Sequence, residues 1–167
     1  AASGTSPEGS YILVDNTTAA GKGIVGRTMQ FHGVANNYSL NGATRIATIY
    51  SNATTATAFP AVTQNSVGTN GGEAIAFAFD LARSVVYTRQ GNPLWAAQER
   101  DGITPIRSDE MFYPNWIDFS RVAIPQADEQ QHLLSNLIHY ASANKKPMPR
   151  IWFLPKGLKA AVVMTGD

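Results

Sequence analysis

The sequence predicts an α/β domain: an open mixed sheet with a late glycine-turn hairpin and covering helices. Three observations carry this. Residues 74–80, AIAFAFD, alternate alanines with Ile75, Phe77 and Phe79 before ending on an acid, a period of two that is apolar in both phases and marks a central strand buried on both faces. Pro60, Ala61, Val62 and Thr63 make a second extended run, and the glycine-bearing residues 66–72 between the two read as a hairpin loop. After Pro125, residues 126–144 place Leu133, Leu134, Leu137, Ile138 and Ala141 on one helical face. A strand apolar on both sides needs a covering layer on each.

Composition bounds the possibilities. A chain of 167 residues with 44% hydrophobic and 15% charged residues fits one domain with a substantial core. Its net charge of +1 gives no basic field for nucleic acid or an anionic membrane surface. It has no apolar run of about 18 residues, as a spanning helix requires. The cysteine count is 0, which excludes disulfides, thiolate metal sites and cysteine nucleophiles and leaves the redox compartment open. The chain opens on Ala1 in a Ser/Gly/Pro-rich stretch, read as a mature end left by signal peptidase or as an excised fragment. A secreted or periplasmic location is the expectation.

In chain order, residues 1–10 read as a loose lead-in and residues 11–15, YILVD, as a strand. Gly21, Gly23 and Gly26 match the spacing of a dinucleotide fingerprint, but no acid occurs between Asp15 and Glu73, so a loop is the better reading. Residues 28–31 and 44–50 are two more strands, with Ile46, Thr48 and Tyr50 on one face of the second and Ala47 and Ile49 on the other. Residues 81–90 fit either a short helical turn or further extension, and residues 93–100 a short helix begun by Pro93. His132 and His139 fall opposite the apolar face of the last helix, towards solvent, so a metal site there is disfavoured. His32 reads as structural. Beyond Lys145, residues 150–155 are extended and residues 158–164 form a strand candidate running into Asp167.

Two regions carry candidate chemistry. Residues 102–120 are irregular and aromatic, with Phe112, Tyr113, Trp116 and Phe119 beside Asp109, Glu110, Asn115 and Asp118. Aromatic faces stack on the apolar faces of sugars, and the polar groups accept hydroxyl hydrogen bonds. Asp80 ends the strand candidate where open α/β sheets place ligands, with Arg83 following. Its alternative roles are a helix cap or an ion pair with Arg83 or Arg89. A hydrolase using Asp80 with Arg83, or Asp109 with Glu110, is a further reading. Ser84 lacks a histidine near it in sequence and sits in no G-x-S-x-G elbow.

The C-terminal PRIWFLPKGLKAAVVMTGD resembles the start of a polysaccharide-deacetylase-type domain, whose first motif, Thr-Phe-Asp-Asp, follows a hydrophobic strand. The resemblance implies Asp167 as the catalytic base, with Gly166 replacing the usual aromatic residue. The second Asp and the later histidines of that family would lie beyond the chain, so a divalent metal is implied only if a deacetylase domain follows. Residues 28–144 resemble the later half of a class I glutamine-amidotransferase-like domain, through FPAVTQNSVGTNGGEAIAFAFDLARSVVYTRQGNP and IPQADEQQHLLSNLIHY. That implies an incomplete flavodoxin-like fold without its cysteine nucleophile.

The resulting division is a lead-in at 1–10, an amidotransferase-like domain at 11–149, and a linker with the first strand of a deacetylase-type domain at 150–167. The expected function is a noncatalytic accessory or interaction domain beside a carbohydrate-active deacetylase. The alternative is a fragment of the metal-dependent enzyme itself, hydrolysing the amide of N-acetylated sugars. Asp80, Arg83, Asp109, Trp116 and Asp118 are the candidate ligand-binding residues. The chain itself is assigned no cofactor and no metal ligand. The expected partners are the neighbouring domain or another chain, and carbohydrate, with no nucleic acid and no membrane.

Overall fold

The computed structural model describes residues 2–143. The linker and deacetylase-like strand expected at 150–167, with Asp167, lie outside the described residues. The strands are β1 (Thr5–Ser6), β2 (Tyr11–Val14), β3 (Met29–Gln30), β4 (Ala35–Asn36), β5 (Thr44–Tyr50), β6 (Ala56–Val67) and β7 (Gly72–Phe77). The helices are α1 (Leu81–Gln90) and α2 (Gln126–Ala143), with short 3₁₀ turns in the segment between them. A five-stranded sheet runs in the order β3-β2-β5-β6-β7, and β1 pairs with β4 in a separate ribbon.

The architecture is mixed α/β, but the sheet is not mixed. Each pairing among the described residues is antiparallel, so the parallel sheet of a flavodoxin-like domain is not what these strands build. The physical reason lies in the connections. β5, β6 and β7 follow one another through the short turns 51–55 and 68–71, whereas parallel neighbours need a crossover of a dozen or more residues. The register between β5 and β6 shifts at Arg45/Ala47, Ala47/Thr48 and Thr48/Tyr50. Such bulges bend a strand and increase its twist, and the sheet curls.

The glycine-turn hairpin forms as expected, with Val62 opposite Phe77 and Val67 opposite Gly72. Its second strand is not the centre of the fold, however. β7 is the sheet edge, with Ala74 and Ala76 exposed and Ile75 and Phe77 half-buried. Alanine is apolar in pattern yet loses little when left in water, so an alternation with alanine does not require two covering layers. The buried strand is β5, where Ile46, Ala47 and Ile49 are all enclosed between β2 and β6. Around it Ile12, Met29, Phe31, Val62 and Phe79 form the core with Leu133 and Leu137 of α2. Phe31 and Phe79 meet with ring centroids 4.7 Å apart.

Helix α2 begins where the sequence places it and buries Leu133 and Leu137 of the expected face, but the buried stripe is turned away from Leu134 and Ile138. Gln126, Ala127, Gln130, Leu133 and Leu137 are buried, while Leu134 and Ile138 stay 38% and 44% exposed. The glutamines explain the rotation. At the open edge of β3, the Gln30 N–H donates to Gln126 Oε1, and the Gln30 carbonyl accepts from Gln130 Nε2 at 3.2 Å. Two amide side chains thus stand in for a neighbouring strand and satisfy edge groups that would otherwise be buried unpaired. His132 and His139 are exposed, as the helical spacing predicts.

Residues 81–90 adopt the helical option. Asp80 Oδ1 accepts from the Arg83 N–H at 3.0 Å and caps the helix start. Gly91 closes it at φ 81°, where a Cβ would meet the Met111 carbonyl oxygen at 2.6 Å. The lead-in is not loose: besides the β1–β4 pairing, Glu8 Oε1 accepts from the Gly33 N–H at 2.7 Å. The glycine loop at 16–26 is held by α2, whose Glu129 Oε2 accepts from the Val25 N–H at 2.8 Å. No helix among the described residues is long and apolar enough to cross a membrane.

Candidate functional site

Behind the β3 edge lies a buried polar network. Ser84, Gln130 and His32 are 0%, 0% and 1% exposed. Ser84 Oγ accepts from the His32 backbone N–H at 3.0 Å and donates to Gln130 Oε1 at 2.7 Å. The His32 imidazole turns the other way, with Nδ1 3.1 Å from Glu8 Oε1. Serine and histidine therefore meet through the backbone, and the hydroxyl proton is committed to an amide oxygen. General-base activation needs the ring nitrogen within reach of the hydroxyl. This network holds β3 against α1 and α2.

The predicted residues Asp80 and Arg83, on the same helix as Ser84, are likewise engaged locally. The Asp80 carboxylate is the α1 cap, and the Arg83 guanidinium carbon lies 4.8 Å from the centroid of the Tyr87 ring. Among the described residues, neither side chain lines the two hollows described below.

The aromatic loop divides into an inner and an outer part. Trp116 is inner: it is 7% exposed, its Nε1 donates to the Tyr87 carbonyl at 3.0 Å, and it contacts Trp95 edge-on. Asp118 is a clasp. Its Oδ2 accepts from the Tyr11 hydroxyl at 2.9 Å, its Oδ1 from the Ser120 N–H at 2.9 Å, and its own N–H donates to Gln30 Oε1 at 2.7 Å. Partial burial pushes its carboxyl up, yet the hydrogen bonds from Ser120 and Tyr11 and the charge of Arg121 leave it below the ordinary value. Burial, then the hydrogen bond to Asp118 and its charge, push the Tyr11 phenol up to about 12.

The outer part forms an open groove of about 620 Å³, lined by Asp101, Asp109, Phe112, Tyr113, Asn115 and Phe119 among others. Phe119 is 82% exposed and Tyr113 46%. Asp109 stands at the rim, with its Oδ1 3.5 Å from Arg107 Nε. A second hollow of about 330 Å³ over β6 and β7, between Tyr38, Leu40 and Phe77, is lined by no carboxylate or cationic side chain.

The structure adds a cluster that the sequence reading misses. Glu99, Asp101 and Glu110 each place a carboxylate oxygen within 4.8 Å of the others. Glu110 is 1% exposed. The signal lay in Glu99-x-Asp101 ahead of the Gly102 turn, but only the fold brings Glu110 back to it.

Family models, curated proteins and solved structures all give no match to this chain.

Proposed function

We propose that the domain is a noncatalytic accessory module whose outer groove contacts carbohydrate on behalf of a neighbouring deacetylase-type domain. The observation that carries this is the pairing of the solvent-facing rings of Phe119 and Tyr113 with Asp101, Asp109 and Asn115 along one groove. A pyranose ring presents C–H groups on its faces and hydroxyls at its edge, so it suits aromatic faces bordered by acceptors. Leaving a phenyl group 82% exposed costs water contact that a ligand would relieve. The commitment of Asp80, Ser84 and Asp118 to capping and clasping supports a binding role over a hydrolytic one.

The deacetylase context rests on residues 149–167 and their resemblance, which also makes N-acetylated oligosaccharides the first ligands to try. The amidotransferase-like kinship rests on the hairpin and α2 sequences, not on strand direction.

Calorimetric titration with oligomers of N-acetylglucosamine, beside their deacetylated forms, tests the reading. Binding by the wild type, weakened about tenfold in Phe119→Ala, would support it; tenfold corresponds to about 1.4 kcal/mol, the scale of one aromatic contact. Equal binding by the two proteins, or none by either, would remove it.

A further inference from the structure

We propose that Glu99, Asp101 and Glu110 form a binding site for a divalent cation of the calcium type. Two independent observations meet here. The first is geometric: the three residues offer carboxylate oxygens within 4.8 Å of one another. Oxygens on opposite sides of a calcium ion, at 2.3–2.6 Å each, stand about 4.6–5.2 Å apart. The second is the state of Glu110. Its Oε2 accepts from the Arg100 N–H at 2.7 Å and the Asp101 N–H at 3.1 Å, whereas its Oε1 is buried with no hydrogen-bond partner. A buried carboxylate with one oxygen unpaired is costly, and a cation is a partner that removes the cost.

The surroundings favour a hard divalent ion. All three side chains are oxygen donors, the preference of calcium and magnesium rather than of zinc or copper. Arg107 Nη2 lies 2.6 Å from Asp101 Oδ2. Three carboxylates less one guanidinium leave a formal charge of −2, which a divalent ion neutralises. Arg100 keeps its charge but directs it elsewhere: it donates through Nε to the Tyr113 carbonyl at 2.9 Å, and its Cζ lies 4.0 Å from the Trp95 ring centroid. Glu99 Oε1 and Asp101 Oδ1 already accept from the Gly102 and Ile103 amides at 2.6 and 2.9 Å. Those bonds orient the carboxylates, and each oxygen keeps a further lone pair for a metal. Calcium accepts irregular ligand geometry whereas magnesium demands a near-regular octahedron, so an irregular loop suits calcium better. The site shares Asp101 with the groove, but its test is separate, since a cation would bind with no carbohydrate present.

Terbium luminescence on the full 167-residue chain tests the site, with Trp95 and Tyr113 beside the loop as sensitisers. The expected result is saturable emission that calcium displaces at about 10⁻⁴–10⁻³ M, the range of the weaker calcium-binding modules, and that magnesium displaces far less. Glu99→Gln, at an exposed position, should weaken calcium about tenfold while near-UV circular dichroism stays that of the wild type. Glu110→Gln should abolish the saturable emission, and Glu99→Gln keeps the test valid if Glu110→Gln misfolds. Absence of saturable emission, or calcium competition unchanged in Glu99→Gln, would overturn the site.

Discussion

The imidazole of His32 lies flat against the indole of Trp116, with ring centroids 4.4 Å apart and planes 8° from parallel. This contact joins the β3 edge to the aromatic loop and puts the loop's largest side chain in the interior. Burial lowers the His32 pKa, and the neighbouring Glu8 opposes that without cancelling it. The folded protein therefore binds the His32 proton less readily than the unfolded chain does. The stability this contributes is full above the unfolded value of about 6.5 and is lost as pH falls through the depressed folded value. Urea midpoints measured between about pH 7.5 and pH 5 should fall in the wild type, by at most about 1.4 kcal/mol per pH unit from this one group. His32→Gln should be less stable at pH 7.5 and show a shallower fall.

Tyr11 and Asp118 make the second clasp, and its pH response runs the other way. With the phenol pushed up to about 12 by burial and by Asp118, its contribution is full below the unfolded value of about 10 and is lost as pH rises through about 12. An ultraviolet titration of the phenols should show one late-ionising tyrosine that disappears in Tyr11→Phe. A late phenol that survives the substitution would show that another tyrosine is responsible.

Gln130 serves two buried partners, Ser84 Oγ and the Gln30 carbonyl. Gln130→Leu keeps comparable volume but orphans both. Each orphan costs about 1–3 kcal/mol, so the urea midpoint should drop by an amount no surface substitution matches. Ser135→Ala on the exposed side of α2 is the control and should stay within about 0.5 kcal/mol of wild type.

Gly91 couples α1 to the loop that carries the groove. In Gly91→Ala the new methyl group would meet Met111 backbone at 2.6 Å, at φ 81°, and the penalty exceeds about 1 kcal/mol. Thermal unfolding should occur several degrees lower. If the loop yields rather than the helix, saccharide binding should fall more than stability does.

Local pattern made the hairpin, the start of α2 and the exposure of its histidines readable from the sequence, because each depends on residues near in the chain. What failed depends on distant partners. Gln126 and Gln130 fall on the same helical face as Leu133 and Leu137, but being polar they carry no burial signal of their own, and it is their meeting with the Gln30 backbone that lets them be buried. Trp116 and Phe119 are both loop aromatics in sequence, yet one stacks on His32 and the other faces water. The alanines of β7 satisfy a buried pattern without needing burial. Glu110 reads as one of two adjacent acids until the loop returns it to Glu99 and Asp101.

Tyr113 and Phe119 border the groove proposed to hold carbohydrate. Its most direct test is a heteronuclear NMR titration of the labelled chain with an N-acetylglucosamine oligomer. Saturable shifts confined to residues 101–119, with Trp116 Nε1 little moved and the response lost in Phe119→Ala, are the predicted result. Shifts centred on another surface, or none at millimolar ligand, would contradict it.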